Sequence, residues 1–167
     1  DRVYFISTKL NEEILEAIPK YVITKIRENI GYDFWSYREG LVDLVGQAYP
    51  GAIMVMNTSI LCLTPDKFFE ISGSQAHLPF SGAVLSHEEM PHLQSWAMQF
   101  GKELTSRKEF VGWWCNMIPL NDRHQVKHQY EIGISTFLVK LGYPLSSWLR
   151  YAPSTEANAA KWNPSHH

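Results

Sequence analysis

Cysteine is scarce in this chain: Cys62 and Cys115 stand in unrelated apolar segments, with no CxxC pair and no metal-ligand spacing. That scarcity argues against a disulfide scaffold and fits a reducing compartment, with both thiols expected in the core. An excess of one charge is lacking too. The 15 Lys+Arg and 17 Asp+Glu residues leave a formal net charge of −2, and the basic side chains are scattered among acids, so no stripe exists to grip nucleic acid. No apolar run approaches bilayer-spanning length, no signal peptide precedes the first strand, and no internal repeat or low-complexity tract occurs. These absences favour a soluble cytoplasmic domain acting on a small molecule.

What is present is a core-forming composition. With 45% hydrophobic and 13% aromatic residues in 167, the chain is expected to form a single domain over residues 1–167. Val3 to Ser7 reads as a strand, Asn11 to Ile18 as a helix capped by Asn11, and Tyr21 to Ile26 as a second strand, making a βαβ unit. A helix from Asp33 to about Tyr49, including Ala48, carries Phe34, Tyr37, Leu41, Leu44 and Val45 at helical spacing, and Pro50-Gly51 ends it. Ala52 to Met56 is an unbroken apolar run of the kind covered on both faces, from which a mostly parallel central sheet flanked by helices is inferred. Further helices are expected from Thr64-Pro65 to Ile71, from Arg107 to Met117 and from Asp122 to Leu141, with strands at Ala83 to Leu85 and Ser95 to Phe100. Both ends are abrupt, and a fragment of a longer polypeptide is the expectation.

Polar residues interrupt this pattern where sites form in open α/β sheets. In Arg27 to Gly40 a strand hands over to a helix. There Asp33 either caps the helix or meets a sugar hydroxyl, and Asn29 either makes a turn or meets ligand. Asn57-Thr58-Ser59 follows the buried strand and reads equally as an Asx turn or a ligand contact. His92 could serve as acid, base or donor, or be an ordinary solvated loop histidine, and Gln94 offers both donor and acceptor. Glu131 lies near the apolar face of the last helix, where an unpaired carboxylate is costly. A salt bridge to Lys or Arg, or burial that raises its pKa toward that of a general base, would answer that cost. Gly133 beside it suggests close packing or close approach at that point. Among the six tryptophans, Trp35 and Trp96 sit beside polar junctions and could pack in the core or stack on sugar rings.

Taken in order, Arg-Glu-Asn-Ile-Gly-Tyr-Asp-Phe (27–34), Asn-Thr-Ser (57–59), His-Leu-Gln-Ser (92–95), Tyr-Glu-Ile-Gly (130–133) and Asn-Pro-Ser-His (163–166) resemble the rhamnan synthesis protein F family of bacterial surface-polysaccharide assembly. The resemblance implies a GT-A-like α/β fold, lacking its first strand here, and a glycosyltransferase working on a nucleotide-sugar donor, with dTDP-rhamnose as a candidate, and a polysaccharide or lipid-linked acceptor. It implies that Asn29, Tyr32, Asp33, Asn57, Ser59 and Gln94 bind the donor, that His92 and Gln94 line the sugar pocket, and that Glu131, with His92, is catalytic. It also implies work at the inner face of the plasma membrane, reached through the parent protein. The alternative is a non-catalytic sugar- or nucleotide-binding or docking module.

One departure bears on metal. The family usually reads Asn-Asp-Ser where this chain has Asn57-Thr58-Ser59, so the expected carboxylate is a hydroxyl. Asn57 and Ser59 alone make a poor Mg²⁺ or Mn²⁺ site, since hard cations prefer carboxylate oxygens.

Overall fold

The computed structural model describes residues 2–47, 49 and 51–149. The expectations for Ala48 and Pro50 and the Asn-Pro-Ser-His motif at 163–166 lie outside the described residues.

The βαβ opening forms as its pattern indicates. Strand β1 (Val3–Ser7) and strand β2 (Val22–Ile26) pair in parallel, Val3 opposite Val22 through Ser7 opposite Ile26, with helix α1 (Glu12–Ala17) between them. The Asn11 side chain caps α1 by accepting from the Ile14 N–H at 2.8 Å. Helix α2 (Tyr32–Gly46) starts one residue earlier than expected and is not capped by Asp33. Gly31 at φ +68° and Tyr32 at φ +52° swing the chain into the helix, so Asp33 sits inside the first turn with its carboxylate free to reach elsewhere.

The mostly parallel sheet is corrected by the second half of the chain. Strands β3 (Ile53–Met56), β4 (Phe80–Gly82), β7 (Ala97–Phe100) and β8 (Ser146–Ser147) form one sheet in the order β3-β7-β4-β8. Both pairings of β7 are antiparallel, and only β4 with β8 is parallel. The inference failed for a physical reason: a continuous apolar run reports burial of both faces, not the direction of a strand's neighbours. Ile53 and Val55 do point into the main core, while Met54 packs against a satellite cluster with Phe68 and Trp96. A two-stranded hairpin of β5 (Leu85–Ser86) and β6 (His92–Leu93) replaces the expected strand at Ala83 to Leu85.

Helix α3 (Pro65–Ser74) runs three residues past Ile71. Helices α4 (Lys102–Thr105) and α5 (Lys108–Cys115) follow β7, and α5 brings Phe110 and Trp114 against Phe34 and Phe100. This aromatic group is the centre of the core, with Trp114 1% and Phe100 0% exposed. The two thiols are not in it: Cys62 is half-buried and Cys115 is exposed.

The expected last helix is three segments. Helix α6 (Arg123–Val126), capped by Asp122, passes into a π-helical stretch (Lys127–Ile132) and then into helix α7 (Gly133–Lys140). π-Helical turns are rare and concentrate at functional sites. A Cβ on Gly133 would meet the His128 carbonyl at 3.4 Å, an ordinary contact, so the close packing expected there is not found.

Candidate functional site

The antiparallel pairing of β3 with β7 places the end of one strand beside the start of the other. The Asn57 N–H donates to the Trp96 carbonyl at 3.0 Å, so the 57–59 turn and the 94–96 segment share one edge of the sheet. The N-terminal turn of α2 and the helical run from Arg123 close over this edge. Between them lies an open cavity of about 550 Å³, whose walls include Tyr32, Asp33, Asn57, Ser59, Gln94, Ser95, Trp96 and Glu131. Six of the sequence-named donor and catalytic candidates therefore meet in one cavity. Asn29 and His92 are not on its wall. Asn29 is exposed on the loop before Gly31, and His92 is 1% exposed behind Glu131, neither a solvated loop histidine nor a lining residue.

Glu131 carries the electrostatics. Its Oε2 accepts from the Ser95 backbone N–H at 2.9 Å and from the Ser95 hydroxyl, while Oε1 is 3.4 Å from His92 Nε2. The partner is thus a histidine and not the Lys or Arg expected. Burial disfavours the Glu131 charge, but His92 and the Ser95 donors outweigh it and hold the carboxyl below its usual range. The expected rise toward a general base's pKa is therefore reversed. For His92, burial again opposes charge, and the hydrogen bonds to Glu131 and the Met90 carbonyl outweigh it and raise its pKa. His92 Nδ1 sits 2.7 Å from the Met90 carbonyl oxygen, which can only accept, so Nδ1 carries a hydrogen. Nε2 is left facing the carboxylate, to which it donates when the imidazole is protonated.

The wall opposite is set by loop chemistry. Asn57 Oδ1 accepts from the Ser59 N–H at 3.0 Å, an Asx turn, and Asn57 Nδ2 donates to Asp33 Oδ2 at 2.8 Å. This network does not suit a divalent cation, because Asn57 turns an N–H donor toward the Asp33 carboxylate, and its carbonyl oxygen is already engaged. Among the described residues no group of three or more His, Cys, Asp or Glu side chains could hold a metal ion.

Arg27 has a task that its place in the sequence does not reveal. Its guanidinium donates to the carbonyls of Glu28, Ile30 and Tyr32, each at 2.7 Å, and Nε donates to Ser36 Oγ at 2.6 Å. It thereby satisfies the loop that holds Tyr32 in a left-handed conformation at the cavity wall. A cation two residues before a Gly-containing turn is a weak sequence signal, and only the closed loop exposes its meaning. Tyr37 adds a second brace, its hydroxyl donating to the Ser95 carbonyl at 2.9 Å. Burial, then the charges of Asp33 and Glu131, raise that phenol's pKa far above its ordinary value, so it remains a neutral donor. Trp96 lines the cavity and donates from Nε1 to Gln94 Oε1 at 3.2 Å, whereas Trp35 lies beneath the Arg38 guanidinium.

The fold and site define an α/β domain with mixed sheets and a polar cleft floored by a paired carboxylate. Residues 3–167 match the model of the family described as rhamnan synthesis protein F, and the chain belongs to that family. It is also similar, at 31% identity over 142 residues, to an uncharacterized protein, y4gN, of Sinorhizobium fredii (strain NBRC 101917 / NGR234). That match covers 81% of this chain and 36% of the relative, so the chain spans about a third of its relative's length. No solved structure matches. Among the described residues, no helix is long and apolar enough to cross a membrane.

Proposed function

We propose that this domain takes part in bacterial surface-polysaccharide assembly as a GT-A-like glycosyltransferase, moving a sugar from a nucleotide donor to a polysaccharide or lipid-linked acceptor. Its work is at the inner face of the plasma membrane, reached through the rest of the parent protein. Family membership supports the setting. The observation that carries the chemistry is the Glu131 carboxylate, on the cavity wall and backed by a buried histidine.

In this reading the acceptor hydroxyl oxygen attacks the anomeric carbon and the bond from that carbon to the phosphate oxygen breaks. The nucleoside diphosphate leaves with the electron pair, and the hydroxyl proton goes to Glu131. A carboxylate held below its usual pKa is a weak base by itself. The His92 imidazole, raised above its usual pKa, supplies the missing basicity, because the proton reaching Glu131 can settle on Nε2. The reactive form then has Glu131 ionised and His92 neutral. Asp33 and Gln94 meet sugar or ribose hydroxyls: Asp33 engages one oxygen with Asn57, and Gln94 gives only its carbonyl oxygen to Trp96 among the described residues.

The test is release of nucleoside diphosphate from dTDP-rhamnose and from UDP- and GDP-sugars, with acceptor glycan present, by the wild type and Glu131→Gln. A fall of about 10²-fold or more in kcat, with donor KM nearly unchanged, is expected when a general base is removed. Equal turnover by the two proteins removes Glu131 as the base. Donor binding without turnover by either favours the docking module.

A further inference from the structure

The helical run that supplies Glu131 carries charged or polar residues at every fourth position: Arg123, Lys127, Glu131 and Ser135. Residues so spaced share a helix face. The first three line the cavity, and exposure falls along the row. Arg123 is exposed, Lys127 is 24% and Glu131 19% exposed at the side chain, and Ser135 is fully buried. Ser135 anchors the row, its Oγ accepting the Leu93 N–H of β6 at 3.1 Å. The face therefore offers two cations at the mouth and a carboxylate at the floor, with His124 beside the cations.

The two cations differ in how the fold meets their charge. Arg123 makes no side-chain hydrogen bond or ion pair among the described residues. Lys127 is held by Glu88 at 3.1 Å and Glu89 at 2.9 Å. Glu88 itself lines the cavity, and Glu89 sits at φ +64°, a left-handed conformation that costs a non-glycine residue energy. A strained loop thus sets a carboxylate against the lysine at the mouth.

We propose that Arg123 and Lys127, with His124, form a diphosphate subsite, and that Glu88 occupies it in the empty protein and is displaced by ligand. The inference rests on the nucleotide-sugar reading above and names how the donor's charge is met. The Asn57–Ser59 turn directs an N–H at Asp33 and is unsuited to a cation, which leaves the cationic side chains at the mouth to meet the diphosphate charge. Arg123 is suited to a two-pronged hold on phosphate oxygens and Lys127 to a point contact. With the diphosphate at the mouth, the anomeric carbon lies inward, on the side of Glu131.

Calorimetric titration with inorganic pyrophosphate, thymidine, dTDP and UDP tests this on the wild type, Arg123→Gln, Lys127→Gln and Glu88→Gln. The subsite predicts that each cation variant weakens diphosphate binding about tenfold or more, the loss of a charge-assisted contact. Glu88→Gln should tighten it severalfold, a gain that misfolding cannot mimic, while thymidine binding stays level. Nucleoside diphosphate bound equally by all four proteins overturns the subsite and leaves the donor reading intact. Pyrophosphate bound through Arg123 with no gain from an attached nucleoside supports the subsite and overturns the donor reading. Binding of neither by any protein overturns the subsite, and the sugar-transfer assay then judges the donor reading independently.

Discussion

His92 Nε2 lies 3.4 Å from Glu131 Oε1, while the other ring nitrogen is fixed 2.7 Å from the Met90 carbonyl oxygen. The second contact gives the first its meaning. With Nδ1 bound to a group that can only accept, the imidazole can exchange a proton only toward Glu131. The pair is a buried imidazole that meets the cavity through the Glu131 carboxylate.

If transfer needs neutral His92, activity rises with pH through the raised pKa of that residue, above its ordinary 6.5. A kcat profile recorded from pH 5 to 9 should show this ascending limb, and His92→Gln should lower kcat and flatten the limb. A wild-type profile already level below pH 6 removes His92 from the proton path.

Stability should follow the same pair. His92 has its pKa raised, so its contribution is complete below 6.5 and fades as pH climbs through the raised value. Glu131 has its pKa lowered, so its contribution is complete above 4.5 and is lost as pH falls through the depressed value. The pair therefore stabilises most between about pH 4.5 and 6.5. Thermal melts across pH should show Glu131→Gln losing both declines, since it also removes the partner that raises His92, while His92→Gln loses the alkaline decline and keeps part of the acid one through the Ser95 donors. Parallel curves for all three proteins contradict the pairing.

Arg27→Ala removes the donors to three carbonyls and Ser36. Hydrogen bonds to charged groups contribute about 1.5–3 kcal/mol each, and this half-exposed set is expected to cost about 2–4 kcal/mol in total. Arg27→Lys should recover little of it, since an ammonium cannot span the loop's several acceptors. Urea unfolding gives the numbers, and a loss under 0.5 kcal/mol, on the scale of an ordinary surface change, contradicts the bracing role.

Gly31→Ala tests the turn that launches α2. At φ +68° a side chain is strained, and its Cβ would stand 2.7 Å from Trp35 Cβ, which is too close. A loss of about 1–3 kcal/mol is expected, with weakened donor binding because Tyr32 and Asp33 follow directly. Unchanged stability would falsify the requirement for glycine there.

The local features were legible in the chain's short-range patterns. The βαβ opening, the Asn11 cap, the helical spacing of Phe34, Tyr37, Leu41 and Leu44, and the Asx turn at Asn57 depend on neighbours a few residues away, and short-range patterns record them. Family membership was legible for a similar reason, since ordered short motifs persist in the chain whatever their contacts. Strand direction around β7, the burial of His92 and its pairing with Glu131 were decided by tertiary structure. So were the π-helical turn and the task of Arg27. Each depends on groups distant in sequence or on a closed loop, and electrostatics in a buried site depend on the partner found there. Glu131 had to find a partner, as any near-buried carboxylate must; only the packed structure chose a histidine and so turned the expected rise in its pKa into a fall.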